Sequence, residues 1–138
     1  MSVLRIAAAC LLDERNRLLV VRKRGTRAFM LPGGKQEPGE TPLAALQREL
    51  REELELILAP QALRRLGRFQ AQAANEPDLR VDADVFTAAL RQPVTAAAEL
   101  EELAWLGLDD PWPANLAPLL REQVIPALLR KVRDADRG

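Results

Sequence analysis

The sequence contains no histidine, no tyrosine and a single cysteine, and each shortage removes a class of chemistry. Without histidine there is no Ser-His-Asp or Cys-His nucleophile and no His-ligated zinc. Cys10 has no partner for an internal disulfide. It lies in an apolar run with no imidazole to activate it, so it reads as a buried structural thiol. Three Phe and two Trp leave little material for an aromatic clamp around a planar ligand. Lys+Arg and Asp+Glu both total 20, so no excess of charge points to nucleic acid or to a membrane surface. No segment approaches the roughly 18 apolar residues of a membrane helix, and residues 1–5 lack the layout of a cleavable leader. A cytoplasmic protein is expected. Its chemistry has to rest on carboxylates, Lys, Arg and hydroxyl groups.

What is present suits one domain over residues 1–138, with hydrophobic residues at 48% and charged residues at 29%. Residues 3–12 read as a buried strand, 13–16 as a polar turn and 18–21 as a second strand closing a hairpin. Gly33-Gly34 and Pro38-Gly39 bracket a loop that has to bend sharply. Residues 66–71 and 81–90 read as strands. Val81, Ala83 and Val85 alternate with Asp82 and Asp84, the mark of a half-exposed strand. Residues 103–106 form another short strand, in which Trp105 is expected to face the core, as are Phe69 and Phe86. Leu119, Leu120, Val124, Ile125, Leu128, Leu129 and Val132 mark a C-terminal amphipathic helix bent near Pro126. Its stripe is expected on the sheet, with a homodimer contact as the alternative. The order β-β-α-β-β-β-α implies an α/β (α+β) fold with helices on the faces of a sheet.

The first helix carries the chemistry. Thr41 suits the N-cap, Pro42 the first helical position, and Pro60 sets the latest end. Leu43, Leu46, Leu50, Leu54 and Ile57 form one apolar stripe, an arc of roughly 80° at about 100° per residue. Glu49 and Glu53 fall just outside one edge of that arc and Glu52 further round. Arg48, Arg51 and Glu55 fall on the solvent side. Like charges at this spacing each destabilise a helix by roughly 0.2–0.5 kcal/mol. A hard divalent cation such as Mg²⁺ would offset that cost, since it takes oxygen ligands and bridges carboxylates to phosphates. The plainer alternative is a solvated surface helix with Arg48–Glu52 and Arg51–Glu55 pairs.

Residues 34–56 run Gly34, five residues, Glu40, seven residues, then Arg48-Glu49-Leu50-Arg51-Glu52-Glu53-Leu54-Glu55-Leu56. This closely resembles the Nudix box, G-x5-E-x7-R-E-U-x-E-E-x-G-U with U aliphatic, and the likeness to MutT-like members extends over most of the chain. Every specified position matches except Glu55, where the pattern has glycine. The helix is therefore expected to run on past Glu55 by up to a turn.

The resemblance implies an α/β/α sandwich with a mixed β-sheet. It also implies Mg²⁺-dependent hydrolysis (Mn²⁺ as a substitute) of a nucleoside diphosphate linked to a group X. By position, Glu49, Glu52 and Glu53 would hold the metal, with one of them as a candidate general base. Arg48 would orient a glutamate and Glu40 would brace the loop. Gly33 and Gly34 would admit close backbone approach, and Lys23, Arg24, Arg27 and Lys35 could bind phosphate oxygens. An acidic residue further on would add a ligand or the base, with Glu102 preferred to Glu99. The absence of tyrosine, the sequence Arg68-Phe69-Gln70-Ala71 where ADP-ribose enzymes carry proline, and the short chain favour a (deoxy)nucleoside triphosphate cut to monophosphate and pyrophosphate. The partner is then a small nucleotide, with no nucleic acid or membrane. The rival reading is a catalytically weak nucleotide-binding sensor.

Overall fold

β1 (Ser2–Leu12) is apolar on both faces, and a strand of that kind is stable only where both sides of a sheet are covered. The computed structural model, which describes residues 2–137, places it at the centre. The remaining strands are β2 (Arg17–Lys23), β3 (Gly33–Lys35), β4 (Arg64–Gln72), β5 (Leu79–Ala89) and β6 (Leu100–Gly107). The sheet order is β4-β5-β1-β2-β6, with β3 also on β1. β5 runs parallel to β1 from Ser2↔Leu79 to Leu12↔Ala89, and the other pairs are antiparallel, so the sheet is mixed.

Alternate residues of β1 feed two separate cores. Ala7, Ala9 and Leu11 pack with Ala45, Leu46, Leu50 and Leu54 of α1 (Pro42–Leu54). Ala8 and Cys10 pack with Leu119, Leu120, Val124 and Leu128 from the C-terminal helical segment. The result is the α/β/α sandwich. Burial leaves Cys10 wholly inaccessible and pushes its thiol pKa up to about 12, as a structural thiol should be. The C-terminal segment opens with a π-helical turn, Leu119–Val124, and continues as α2 (Ile125–Arg137). The widened turn falls where Pro126 has no N–H to offer, and the helix lays its stripe on the sheet. No helix among the described residues is long and apolar enough to cross a membrane.

Several expectations need correction. Residues 33–35 are not simply a bend: they pair with β1 at Ala8↔Gly33, Ala7↔Gly34 and Ile6↔Lys35. Asp82 and Asp84 are buried rather than half-exposed. Arg68 donates to Asp82 at 2.8 Å, Arg65 to Asp84 at 2.8 Å, and Arg5 lies 3.5 Å from Asp84. The guanidiniums of the flanking strands thus cover the acids, and Arg68 holds the Asp82 carboxyl below its usual value. Trp105 is 39% exposed on the edge strand β6, with the Arg17 guanidinium 5.7 Å from its ring. Phe86 is buried, and Phe69 packs against the core.

The helix also stops where the sequence suggested it would continue. Thr41 caps it, its hydroxyl accepting from the Ala44 amide at 3.1 Å. At the other end Glu55 takes the left-handed conformation, φ 52° and ψ 36°. Its amide donates to Arg51 O at 3.1 Å, and the Leu56 amide reaches Leu50 O at 3.2 Å. The reversal drops Leu56 into the α1 core, fully buried. That burial is worth roughly 2 kcal/mol, against a left-handed penalty of about 1–2 kcal/mol for a non-glycine residue. Ile57, assigned to the stripe by periodicity, lies beyond the helix and is 74% exposed. Replacing Glu55 with glycine should therefore raise stability by up to about 1 kcal/mol. Urea unfolding would show a higher midpoint with an unchanged slope; an unchanged or lower midpoint would contradict the strain.

Candidate active site

The three acidic positions on α1 differ in environment as their angles require. Side-chain exposure is 16% at Glu49 and 54% at Glu52, while Glu53 is buried at 4%. Glu53 Oε1 accepts the Gly33 amide at 3.0 Å. Among the described residues its second oxygen has no protein donor. Burial pushes the Glu53 pKa up to about 7; the Gly33 N–H opposes this and the neighbouring Glu49 adds to it. Burial also raises Glu49, with Arg48 pulling the other way.

Gly33 and Gly34 make this approach possible. A Cβ on Gly33, whose φ is 150°, would strike the Ala7 carbonyl oxygen. A Cβ on Gly34 would lie 2.5 Å from Glu49 Oε1. Only bare backbone fits between β1 and the helix.

Arg48 is not on the solvent side. The loop from Lys35 to Glu40 folds over it. Its guanidinium grips Glu40 twice, Nε to Oε2 at 2.8 Å and Nη2 to Oε1 at 2.9 Å. It also donates to Glu49 Oε1 at 3.0 Å and to Lys35 O at 3.0 Å, and stands 3.6 Å from Glu52 Oε2. Arg48 draws the Glu40 pKa down to about 2. Glu40 in turn accepts the Glu37 amide at 2.9 Å, closing the loop. One cation thereby joins the loop to two of the helix carboxylates.

A cleft of about 390 Å³ opens beside the Gly33–Lys35 strand; Arg48, Glu49, Glu52 and Glu53 stand behind that strand and are not among the residues lining the cleft. Its floor comes from β1 and β5, and its rim includes Gly33, Gly34, Lys35, Lys23 and Glu99. Lys35 therefore stands at the cleft, and Lys23 acts electrostatically on both Glu49 and Glu53. Arg24 is not among the lining residues; its amide donates to Glu99 O at 2.8 Å. Arg27 borders a neighbouring hollow with Thr26, Asn75 and Asn115. Glu102 pairs with Arg22 at 3.0 Å across β2 and β6 and does not line the cleft. The acid brought toward Glu53 is Glu99, whose charge contributes to the raised Glu53 pKa. Backbone bonds set it there: Ala97 N to Glu53 O at 2.8 Å, then a left-handed Ala98, φ 53°.

The donor set is oxygen throughout, as a hard cation requires. Among the described residues no three acidic side chains already converge as a cage. Two part-buried carboxylates with raised pKa values, one having a free oxygen, do fit an ion that keeps several of its waters.

The chain is similar to known proteins in sequence and in fold. The human 8-oxo-dGDP phosphatase NUDT18 is 40% identical over 65 residues, covering 45% of this chain and 20% of that protein; the match thus spans a fifth of the relative's length. The MutT/nudix family protein from Enterococcus faecalis superposes with a TM-score of 0.77 at 18% identity, over 96% of this chain and 63% of that one. The MutT protein from Methanosarcina mazei Go1 gives 0.72 at 20% identity, over 97% and 96%. The family model for the NUDIX domain matches residues 3–128, the span that holds the sheet from the second residue of β1 onward, the box helix and its loop, and on that match the chain belongs to the Nudix family.

Proposed function

We propose that this chain is a Nudix hydrolase that cleaves the pyrophosphate bond of a nucleoside diphosphate linked to X. We further propose that it uses water activated by Mg²⁺ and that its first substrate class is a (deoxy)nucleoside triphosphate, cut to monophosphate and pyrophosphate. The observation that carries the reading is the buried Glu53 carboxylate, fixed by the Gly33 amide beside Glu49, with Gly33 itself lining the cleft. A bound Mg²⁺ would neutralise phosphate charge and lower the pKa of its water. Glu49, Glu52 and Glu53 would hold it.

The chain's own groups do the rest. Arg48 fixes the Glu49 carboxylate and ties it to the loop. Gly33 and Gly34 keep the cleft wall free of side chains, and Lys35 and Lys23 supply positive charge for phosphate oxygens. Glu99, at the same rim, is better placed than Glu102 to act on the attacking water. Glu55 lies at the helix end in the left-handed shape that glycine would take, so the departure from the box leaves the carboxylates in place. This weighs against the sensor reading. The human relative is named a diphosphate enzyme, so nucleoside diphosphates belong in the substrate panel.

Two outcomes follow. In a Mg²⁺-containing assay of phosphate and pyrophosphate release over a nucleotide panel, Glu53→Gln should lower kcat by at least about a hundredfold. Arg48→Ala should cost about 10–100-fold in activity or metal affinity. No turnover by wild type on any nucleotide would sink the enzyme reading.

The raised Glu53 pKa also has a sign in stability. Between about pH 4.5 and 7 folded Glu53 holds a proton that the unfolded chain has lost. Stability of the metal-free protein should therefore fall as pH rises through that window and level off above about 7. Thermal melts in a chelator should show this slope. Glu53→Gln should flatten it, and Mg²⁺ should restore stability above pH 7.

A further inference from the structure

The cleft has two chemically different ends. It crosses the sheet from the β2 side, where Lys23, Glu99 and the Gly33–Lys35 strand stand, to the β4–β5 turn, where Asn75 and Glu76 stand. Between them the floor is aliphatic: Leu4 and Ile6 from β1, Leu79 and Val81 from β5. Among the described residues no aromatic ring lines it. A flat group on such a floor gains area but little selectivity, because aliphatic walls treat all bases alike. Discrimination has to come from the edge.

The turn is built to hold an edge-reading pair. Gln72 Nε2 donates to three of its carbonyls, Glu76 O at 2.9 Å, Pro77 O at 2.6 Å and Leu79 O at 3.1 Å. Two backbone bonds close it, Ala73 N to Leu79 O at 2.8 Å and Leu79 N to Glu76 O at 3.2 Å. The backbone is thus fixed, yet among the described residues neither Asn75 nor Glu76 has a side-chain hydrogen bond or ion pair. Both are exposed at the rim. An asparagine offers an amide donor and a carbonyl acceptor; an ionised glutamate offers acceptors only.

We infer that Asn75 and Glu76 read the edge of the substrate's base and select a guanine-type purine; the inference rests on the hydrolase reading for placing phosphates at the opposite end. Guanine presents one acceptor, O6, beside two donors, N1–H and the 2-amino group. The Asn75 amide suits O6, and the Glu76 carboxylate accepts from N1–H and the amine together. Adenine presents ring acceptors to the carboxylate. Hypoxanthine keeps O6 and N1–H but lacks the amine, which makes it the sharpest probe.

Steady-state kinetics with Mg²⁺ on GTP, ITP, ATP and CTP test this in wild type, Asn75→Ala, Glu76→Asp and Glu76→Ala. Wild type should prefer GTP to ITP by about tenfold in kcat/KM and to ATP by more. Glu76→Ala should bring GTP and ITP within about twofold, the loss falling on KM for GTP rather than on kcat, and Glu76→Asp should keep part of the preference. Calorimetric binding of GTP and ITP to Glu53→Gln reads the same selectivity without turnover. If wild type turns over nothing while that binding preference stands, the hydrolase reading fails and the base assignment survives. Equal treatment of GTP and ITP by wild type, a preference that survives Glu76→Ala, or no binding of any of the four nucleotides would overturn it.

Discussion

The contact on which the rest depends is the approach of bare backbone at Gly33 and Gly34 to the carboxylates of α1. The Gly33 amide meets Glu53 at 3.0 Å, and Gly34 leaves no room for even a methyl group beside Glu49. β1 and β2 are in register at Leu12↔Leu18, and further along β1 its edge is taken by β3 instead. The sheet is therefore split, and the wedge in the split is the segment with no side chains to spare. A larger residue at Gly33 would strike the β1 backbone at Ala7, and one at Gly34 would displace the Glu49 carboxylate.

That packing creates an electrostatic problem that the surrounding residues contain without abolishing. Glu49 and Glu53 are both lifted above their usual pKa because water has been removed from them. Arg48 relieves Glu49 but is itself held by Glu40 in a bidentate pair. Its charge is thus shared among acids rather than spent on one. Glu53 receives a neutral amide and no arginine. The least compensated carboxylate is also the most buried, which is the condition under which a divalent cation has most to contribute.

Much of this was legible in the sequence, and the misses have a common cause. The helix wheel placed Glu49 and Glu53 at the core margin and Glu52 in water because angle along a helix is a local property. It put Arg48 in solvent because nothing in a wheel knows that residues 35–40 fold back across it. Two adjacent glycines read as a turn; that they form a strand follows from the free edge of β1. The alternation at Asp82 and Asp84 was real, yet arginines on β4 and β1 lie over those acids. Trp105 is uncovered because β6 ends the sheet, beyond the helix that buries the central strands. In each case the local pattern held, and a neighbour distant in sequence decided exposure.

The choice between Glu99 and Glu102 shows the same limit at the site itself. Spacing from Trp105 cannot separate them, since Glu99 stands just before β6 and Glu102 just inside it. What separates them is the stitching of residues 95–97 onto the end of α1, Thr95 N to Leu54 O and Ala97 N to Glu53 O. The chain then turns through a left-handed Ala98. These bonds exist because α1 ends at Leu54 with its last carbonyls unused, and it ends there because Glu55 accepts the left-handed shape. Had the helix continued, the Glu53 and Leu54 carbonyls would have been consumed within it. Glu99 would then have lost the anchor that brings it to the cleft. The helix stop and the placement of Glu99 are one structural event.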